Sequence, residues 1–334
     1  MVRVWFNHWF STSYGLIELM KKDESEEVYV IATNKQMDSV IQKVCDEWYR
    51  ESNANGDEYI EYCLEFCKEH KIDVFVPRHN MVDISKNLHL FEKIGVKVMV
   101  DKYSTIKLLN DKAASYEYLR DCEGICIPKY YMVNNASEFE NAYADLRKEF
   151  DQVCVKFVKD EGAMSYRRIV DSVDRFKRLR IYPGAEALYE DYLGTLREVD
   201  KFDDLMVMPY LPGNEVSVDC LKTEKGLIAI PRFKGTSRHE EVKYDDRIMQ
   251  ITKSIMNKID LEYPCNVQFK YKDDTPYLLE INTRMSGGLQ MTCLAADINI
   301  PNIALNKLLG RNIDWHYEEK NTVVSYIEIP KIIR

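Results

Sequence analysis

A chain of 334 residues is long enough to bury two or three hydrophobic cores, and 46% hydrophobic with 30% charged residues is an ordinary globular composition. The formal charge of −9 argues against a general nucleic-acid binder, and no apolar run approaches the ~18 residues that would span a membrane. Nine cysteines lie scattered in apolar segments, with Cys63/Cys67 and Cys122/Cys126 off the C-x₂-C spacing of a zinc site. They read as free, buried thiols in a reducing cytoplasm, and the opening MVRVWFNHWF lacks the layout of a cleavable signal.

In chain order, Arg3 to Phe6 reads as a first strand, followed by a polar and aromatic loop to Gly15 and a helix from Leu16 to Lys22. Val28 to Thr33 is a second strand. Ile60, Cys63, Leu64 and Cys67 recur at helical spacing, which predicts an amphipathic helix over Asp57 to His70. Ile72 to Val76 is a strand stopped by Pro77. Asp83 or Ser85 can cap a helix to Ile94, and Val96 to Val100 is again strand. This alternation implies a small parallel α/β domain over residues 1–102. No G-x-G-x-x-G follows the first strand, so no dinucleotide fingerprint is present. Arg78, His79 and Asn80 follow a strand's C-terminal end, where open α/β sheets place ligands; a solvated loop is the alternative.

From Ser104 the pattern turns helical, and Asn110-Asp111-Lys112 opens a second helical segment to Leu119, followed by the break Gly124 to Pro128. Val153 to Val158 is an apolar strand with Lys156 inside it. An unpaired buried ammonium is expensive, so Lys156 requires a partner, either a phosphate or a carboxylate. Residues 171–202 look helical and highly charged, interrupted at Tyr182-Pro183-Gly184. Leu205 to Leu211 is an apolar strand running into Pro212-Gly213-Asn214-Glu215. Glu215 to Leu221 and Leu227 to Phe233 form a hairpin that delivers Arg232, Lys234 and, beyond it, Arg238. Such clustered cations suit an acyl-phosphate or an acidic substrate, or else a solvated face. Tyr244 to Ile259 is an amphipathic helix.

Cys265 to Gly288 predicts a second hairpin about the turn-rich Lys272 to Pro276. Alternation puts Asn266, Gln268 and Lys270 on one face of the first strand, and Leu278, Glu280, Asn282 and Arg284 on one face of the second. A turn near Asp274 sets Gln268 across from Glu280, with Cβ atoms about 5 Å apart. Gln268, Glu280 and Asn282 then form a patch of hard oxygen ligands carrying one formal charge, which suits Mg²⁺ held also by nucleotide phosphates. A sheet with one solvated polar face is the plain alternative. Gly287-Gly288 opens a helix whose N-terminus can take an anion, and Val323 to Ile329 reads as a last strand.

Gln268 followed by Glu280-Ile-Asn282-Thr-Arg284 resembles the metal-binding end of the ATP-grasp superfamily, in its carbamoyl-phosphate-synthetase-like and carboxylate–amine ligase branches. The order of D-K at Lys112, strand Lys156, apolar hinge with Glu215, and Q…E-x-N-x-R carries the resemblance over residues 100–310. It implies an α/β (α+β) chain in which a small Rossmann-like domain (1–102) precedes an ATP-grasp fold. That fold divides into an N-terminal part with a lid (103–204) and a C-terminal part with the catalytic hairpin (205–334). The resemblance assigns Gln268, Glu280 and Asn282 to two Mg²⁺ ions, with Mn²⁺ as a substitute. Lys112, Lys156 and Ser165 fall to the ATP phosphates, Met208, Tyr210 and Leu211 to the adenine edge, and Glu215 to the ribose. Arg284, Arg232 and Lys234 would steady an acyl-phosphate, while the leading domain lines the acceptor pocket. One departure stands out: residues 159–168, where the family has a glycine-rich loop, contain a single glycine.

The implied activity is an ADP-forming ligase that activates a carboxylate as an acyl-phosphate for attack by an amine. Ammonia, bicarbonate or a thiol as co-substrate, and a non-catalytic ATP-binding regulator, are the alternatives. The implied partners are small carboxylate and amine substrates and a second copy of the chain, without nucleic acid or membrane. No covalent enzyme intermediate is expected, so none of the cysteines need be a nucleophile.

Overall fold

The computed structural model describes residues 1–22, 26–158, 164–180, 184–235, 238–311, 314–317 and 319–333. The leading segment builds β1 (Val2–Asn7), α1 (Ser13–Lys21), β2 (Val28–Asn34), a 3₁₀ turn at Val40–Lys43, β3 (Glu47–Arg50), α2 (Gly56–Glu69), β4 (Val74–Val76), α3 (Met81–Lys86), α4 (Leu88–Lys93) and β5 (Lys97–Val98). Its five strands are parallel in the order β3-β2-β1-β4-β5. Parallel sheets need cover on both faces, and the apolar run of β1 supplies side chains to both. Trp5 stacks on Phe75 at 4.1 Å and packs against Tyr59, Cys63 and Phe66 of α2. Val2, Val4 and Phe6 face the other way, onto Leu16, Ile17 and Met20 of α1.

The middle of the chain forms α5 (Tyr103–Asn110), α6 (Lys112–Leu119), β6 (Tyr131–Val133), α7 (Ala136–Leu146), β7 (Val153–Phe157), β8 (Arg167–Val170), α8 (Arg175–Arg178), β9 (Glu186–Leu188), α9 (Tyr189–Leu196) and β10 (Leu205–Pro209). Its strands are ordered β6-β10-β7-β8-β9, with only β8 and β9 parallel. The last third forms β11 (Glu215–Thr223), β12 (Gly226–Lys234), β13 (His239–Val242), α10 (Asp246–Lys258), β14 (Cys265–Lys272), β15 (Thr275–Asn282), α11 (Leu289–Ala296), α12 (Ile300–Leu308) and β16 (Thr322–Ser325). These strands make an antiparallel sheet in the order β15-β14-β11-β12-β13-β16. Ile300, Ala304 and Leu305 of α12 join the core beneath the leading sheet, so first and last thirds share one apolar interior. Among the described residues no helix is long and apolar enough to cross a membrane.

Several expectations change. The span 171–202 is not mainly helical: β8 ends at its start, β9 crosses it, and among its described residues only α8 and α9 are helices. Charge density is misleading there, because β8 and β9 are half-buried strands whose charged side chains, Arg168 and Glu186, pair with each other. The first two residues of the Tyr182-Pro183-Gly184 break lie outside the described residues. Neither Asp83 nor Ser85 caps a helix. Asn80, in a left-handed conformation (φ 55°), opens α3, and Asn87 divides α3 from α4. Ser104 lies inside α5, and β3 (EWYR) and β13 (HEEV) are further strands whose charged residues leave no apolar run to mark them.

Candidate active site

One face of the antiparallel sheet gathers the polar residues. Paired residues of antiparallel strands project to the same side, so the register lays them out in rows. Nearest the hinge after β10 lie Lys234, Glu215 and Lys270. The next row holds Arg232, Ser217, Gln268 and Glu280, and the third holds Asp219, Asn266 and Asn282. The expected pairing of Gln268 with Glu280 is present. The turn is Asp273-Asp274, with Asp273 at φ 52°, the positive φ a two-residue hairpin loop demands.

One part of the alternation fails. Gln268 pairs with Glu280 but Phe269 pairs with Leu278, leaving Leu279 as a bulge. An extra residue shifts the side-chain phase. Leu278 therefore joins Ile281, Val267 and Phe269 in the core over α10, instead of sharing the face of Glu280. The Leu279 carbonyl accepts a 2.7 Å hydrogen bond from the buried Tyr116 hydroxyl of α6, which ties the helix of Lys112 to the hairpin.

Glu280 is where three elements meet. Lys112 stands at the first position of α6, whose cap is the Asp111 carboxylate accepting from Ala114 N at 3.0 Å. Its Nζ lies 3.3 Å from Glu280 Oε2, and Lys156 Nζ of β7 lies 4.0 Å from the same oxygen. Asn282 Nδ2 donates to Glu280 Oε1 at 3.1 Å. Burial works against ionisation of Glu280, but Lys112 and Lys156 outweigh it and hold the carboxyl below its ordinary value. The partner that Lys156 requires is thus a carboxylate, and it is the carboxylate expected to hold metal.

The amides beside Glu280 are oriented by a relay. Gln268 Nε2 donates to Asn266 Oδ1 at 3.0 Å, and Asn266 Nδ2 donates to Asp219 Oδ1 at 2.7 Å. With their nitrogens engaged in these bonds, Gln268 and Asn282 keep their amide oxygens as acceptors on the sheet face they share with Glu280. A set of one carboxylate and two amide oxygens fits a hard dication that brings further oxygen ligands of its own.

Asp219 is also the centre of a network that the sequence reading missed. Its Oδ1 accepts from Ser286 Oγ at 2.7 Å, and its Oδ2 accepts from Thr292 Oγ1 at 2.6 Å. Arg232 completes it: Nε donates to Thr292 Oγ1 at 3.1 Å, and the guanidinium pairs with Asp219 and Glu240. An Asp at an alternate position in an apolar strand was the available signal, since a buried carboxylate needs partners.

The expected cation cluster is not there. Arg232 is only 2% exposed and fully engaged by carboxylates and hydroxyls. Lys234 pairs with Glu215 directly across β11 and β12, and Arg238 is exposed and pairs with Glu328. Each cation is neutralised by its own carboxylate, because alternate residues of one strand sit in separate rows of the sheet. Arg284 lies just beyond β15, half-buried.

At the hinge, Met208 and Leu211 are buried, and Tyr210 N donates to Gln152 O at 2.9 Å with the Arg168 guanidinium over its ring at 5.0 Å. Ser165 Oγ accepts from Phe157 N at 3.0 Å, closing its loop back onto β7. Residues 159–163 of the single-glycine loop lie outside the described residues. Gly288 opens α11 against Arg232, where an added Cβ would come within 2.4 Å of the guanidinium. Thr12 of the leading segment reaches Gly287, which brings the C-terminal edge of the parallel sheet beside this loop. On that edge, Arg78 lies over the Phe10 ring at 3.5 Å and NH1 donates to His8 O at 2.9 Å.

Comparison with known proteins follows the same outline. Residues 201–330 match a family described as "ATP-grasp in the biosynthetic pathway with Ter operon". The carbamoyl phosphate synthase large chain of Pseudothermotoga lettingae is 22% identical over 319 residues, covering 91% of this chain and 28% of that protein. This chain thus spans well under a third of the length of the curated relatives it matches. Staphylococcus aureus N5-carboxyaminoimidazole synthetase, solved with ADP, superposes with a TM-score of 0.71 at 15% identity, over 98% of this chain and 82% of that one. The L-amino acid ligase of Bacillus licheniformis gives 0.63 at 13%, over 92% and 74%. The order of the motifs and the hairpin of Glu280 agree with these matches: residues 201–330 resemble an ATP-grasp family, and the chain has the fold of the solved ATP-grasp structures.

Proposed function

We propose that the chain is an ADP-forming ligase that joins a carboxylate to an amine. The observation that carries the proposal is the convergence of Lys112, Lys156 and Asn282 on Glu280, opposite Gln268. Lysines from a helix and a strand that converge on one carboxylate suit a polyphosphate bridging them. N5-carboxyaminoimidazole synthetase with bound ADP and L-amino acid ligase share the fold and support this reading.

In the proposed reaction a carboxylate oxygen attacks the γ-phosphorus and ADP leaves. The amine nitrogen then attacks the acyl carbon, the C–O bond to phosphate breaks, and the nitrogen loses its proton as the amide forms. Lys112 and Lys156 would bind the phosphates and offset their charge. Glu215 would hold the ribose, the chain from Met208 to Leu211 the adenine, and Ser165 the phosphate-covering loop. Gln268, Glu280 and Asn282 would hold two Mg²⁺ or Mn²⁺ ions, which when bound neutralise phosphate charge. Arg284, two residues beyond the end of β15, would orient the activated carboxylate. Arg232 acts one step back, by fixing Ser286 and the loop to Gly288. The edge carrying Arg78, His79 and Asn80 would read the acceptor.

The test is ADP release measured over a panel of carboxylic acids crossed with amino acids and simple amines, with Mg²⁺. Release that needs both an acid and an amine, with one amide formed per ADP, supports the ligase. Release that ignores the panel, or none with any pair, overturns it.

A further inference from the structure

Glu51 plays no part in the chemistry above, yet it is a carboxylate only 2% exposed, with no cation hydrogen-bonded to it among the described residues. It follows β3 at the C-terminal edge of the parallel sheet. Thr33 Oγ1, at the end of β2, donates to its Oε2 at 2.5 Å, and the Tyr59 hydroxyl of α2 donates to its Oε1 at 3.0 Å. Trp5 Nε1 donates in turn to Thr33 Oγ1 at 2.9 Å, and Asn7 Nδ2 to the Tyr59 hydroxyl at 2.7 Å. Burial raises the Glu51 carboxyl above its ordinary range, against the two hydroxyls that lower it.

Every bond in these two chains runs toward Glu51. A carboxylate only accepts, so Tyr59 must donate to it and can offer Asn7 nothing but a lone pair. That fixes the Asn7 amide, which is fully buried at the end of β1. Its NH₂ points at Tyr59 and at His79 O (3.2 Å), and its oxygen points at the next loop. There Asn7 Oδ1 accepts from Arg78 N at 2.7 Å and from His79 N at 3.3 Å. Were Tyr59 to donate to Asn7 instead, the amide would flip and set its NH₂ against two backbone donors.

We infer that Glu51 is a positioning residue: through Tyr59 and Asn7 it sets the polarity of the clamp that holds the loop Arg78-His79-Asn80 in its acceptor-reading shape. The loop needs such a clamp, because Asn80 is held at φ 55° and its buried Nδ2 has no hydrogen-bond partner among the described residues. A buried donor of this kind is costly unless something supplies an acceptor, and a bound substrate oxygen would. The inference rests on the ligase reading for the word acceptor, but not for the clamp itself.

Two substitutions keep the volume and remove the polarity: Glu51→Gln, which can donate back to Tyr59, and Tyr59→Phe, which cuts the chain. Backbone hydrogen exchange read by mass spectrometry measures the clamp without any substrate. Exchange at Arg78 and His79 should speed by about tenfold in both variants, the loss of one buried hydrogen bond, while β1, β2 and β4 keep their protection. Thr33→Val, which leaves the Tyr59 arm intact, should leave the loop at the wild-type rate. Kinetics with the panel substrates should show the acceptor KM raised about tenfold, with ATP KM and kcat within about twofold. Unchanged exchange at Arg78 and His79 in both variants overturns the clamp. Faster exchange with an unchanged acceptor KM overturns its role in substrate reading. If the wild-type chain releases ADP with no pair, the ligase reading is what fails, and the exchange experiment alone upholds or overturns the clamp.

Discussion

Lys112 Nζ lies 3.3 Å from Glu280 Oε2, and Lys156 Nζ lies 4.0 Å from the same oxygen. Two ammonium groups carried by α6 and β7 are held together by one carboxylate on β15. A polyphosphate arriving here meets cations already gathered, and cations added with it can take the carboxylate in their place. In the proposed reaction this pairing would be a resting arrangement of binding groups, and each member has its own consequence on removal.

Glu280→Ala takes away the only carboxylate of the proposed metal set and leaves two lysines facing one another. ATP turnover should be abolished with the fold kept, whereas Gln268→Ala, which removes a neutral amide, should be milder. Turnover by Glu280→Ala at the wild-type rate would sink the metal assignment. The pH dependence has a definite sign. The folded carboxyl is held below its unfolded value, so its stabilisation is complete above the ordinary glutamate value of about 4.3 and is lost as pH falls from there through the folded value. Thermal melts of wild type and Glu280→Gln should differ by a constant amount from pH 8 to about 5 and converge below that.

Lys156→Met keeps most of the side-chain volume and removes the charge. ATP binding should weaken by about 1.5–3 kcal/mol, the range for a hydrogen bond to a charged group, as read by calorimetry. Since its protein partner is Glu280 itself, the variant should also weaken binding of inorganic triphosphate. Glu215→Ala should spare triphosphate and weaken only ATP. Equal losses of triphosphate affinity in the two variants would place Lys156 and Glu215 wrongly.

Much of this site is legible in the sequence, because strand alternation and a two-residue turn fix which residues share a face. Gln268, Glu280 and Asn282 follow from period and register alone. Leu278 does not, since the Leu279 bulge leaves no mark in a run of apolar residues. The fate of the cations was also hidden. Whether Arg232 faces substrate or carboxylates depends on Glu240 and Asp219, which reach it from neighbouring strands. Ion pairing between strands has no sequence period, so composition shows the charges without showing who neutralises them. The fold's alternating leading segment was readable for the same reason as the hairpin, whereas strands of three or four residues such as β3 and β9 carry too few positions to establish a period.

Arg232 and Gly288 test the positioning role against a direct one. Arg232→Met leaves Asp219 and Glu240 without their cation in a buried network and should cost about 3–5 kcal/mol of stability. Gly288→Ala forces a methyl against the guanidinium and should cost about 1–3 kcal/mol by overpacking. Both should lose turnover, and denaturant melts provide the stabilities. If Arg232→Met melts like wild type while turnover is lost, Arg232 acts on substrate directly and the network is incidental.

Asp101 offers a pH effect of opposite sign, at the junction between the leading sheet and the loop before β14. Its Oδ1 accepts from Glu262 N at 2.6 Å, while the buried Oδ2 has no hydrogen-bond partner among the described residues. Burial is the main reason its carboxyl is pushed up to about 7, with the Glu262 N–H pulling the other way. Unfolded, the same group titrates near 3.9. The folded chain therefore binds the extra proton between these values, and stability falls as pH rises from about 4 to about 7, by on the order of 3–4 kcal/mol. Asp101→Asn can keep the Oδ1 bond to Glu262 N and place an uncharged NH₂ where Oδ2 stood. Its advantage over wild type should be absent near pH 4, grow through pH 5 to 7, and level off by pH 8. Thermal melts at one-unit intervals read this directly. A constant difference between the two proteins from pH 4 to 8 would mean that Asp101 stays ionised in the fold and that its partner lies elsewhere.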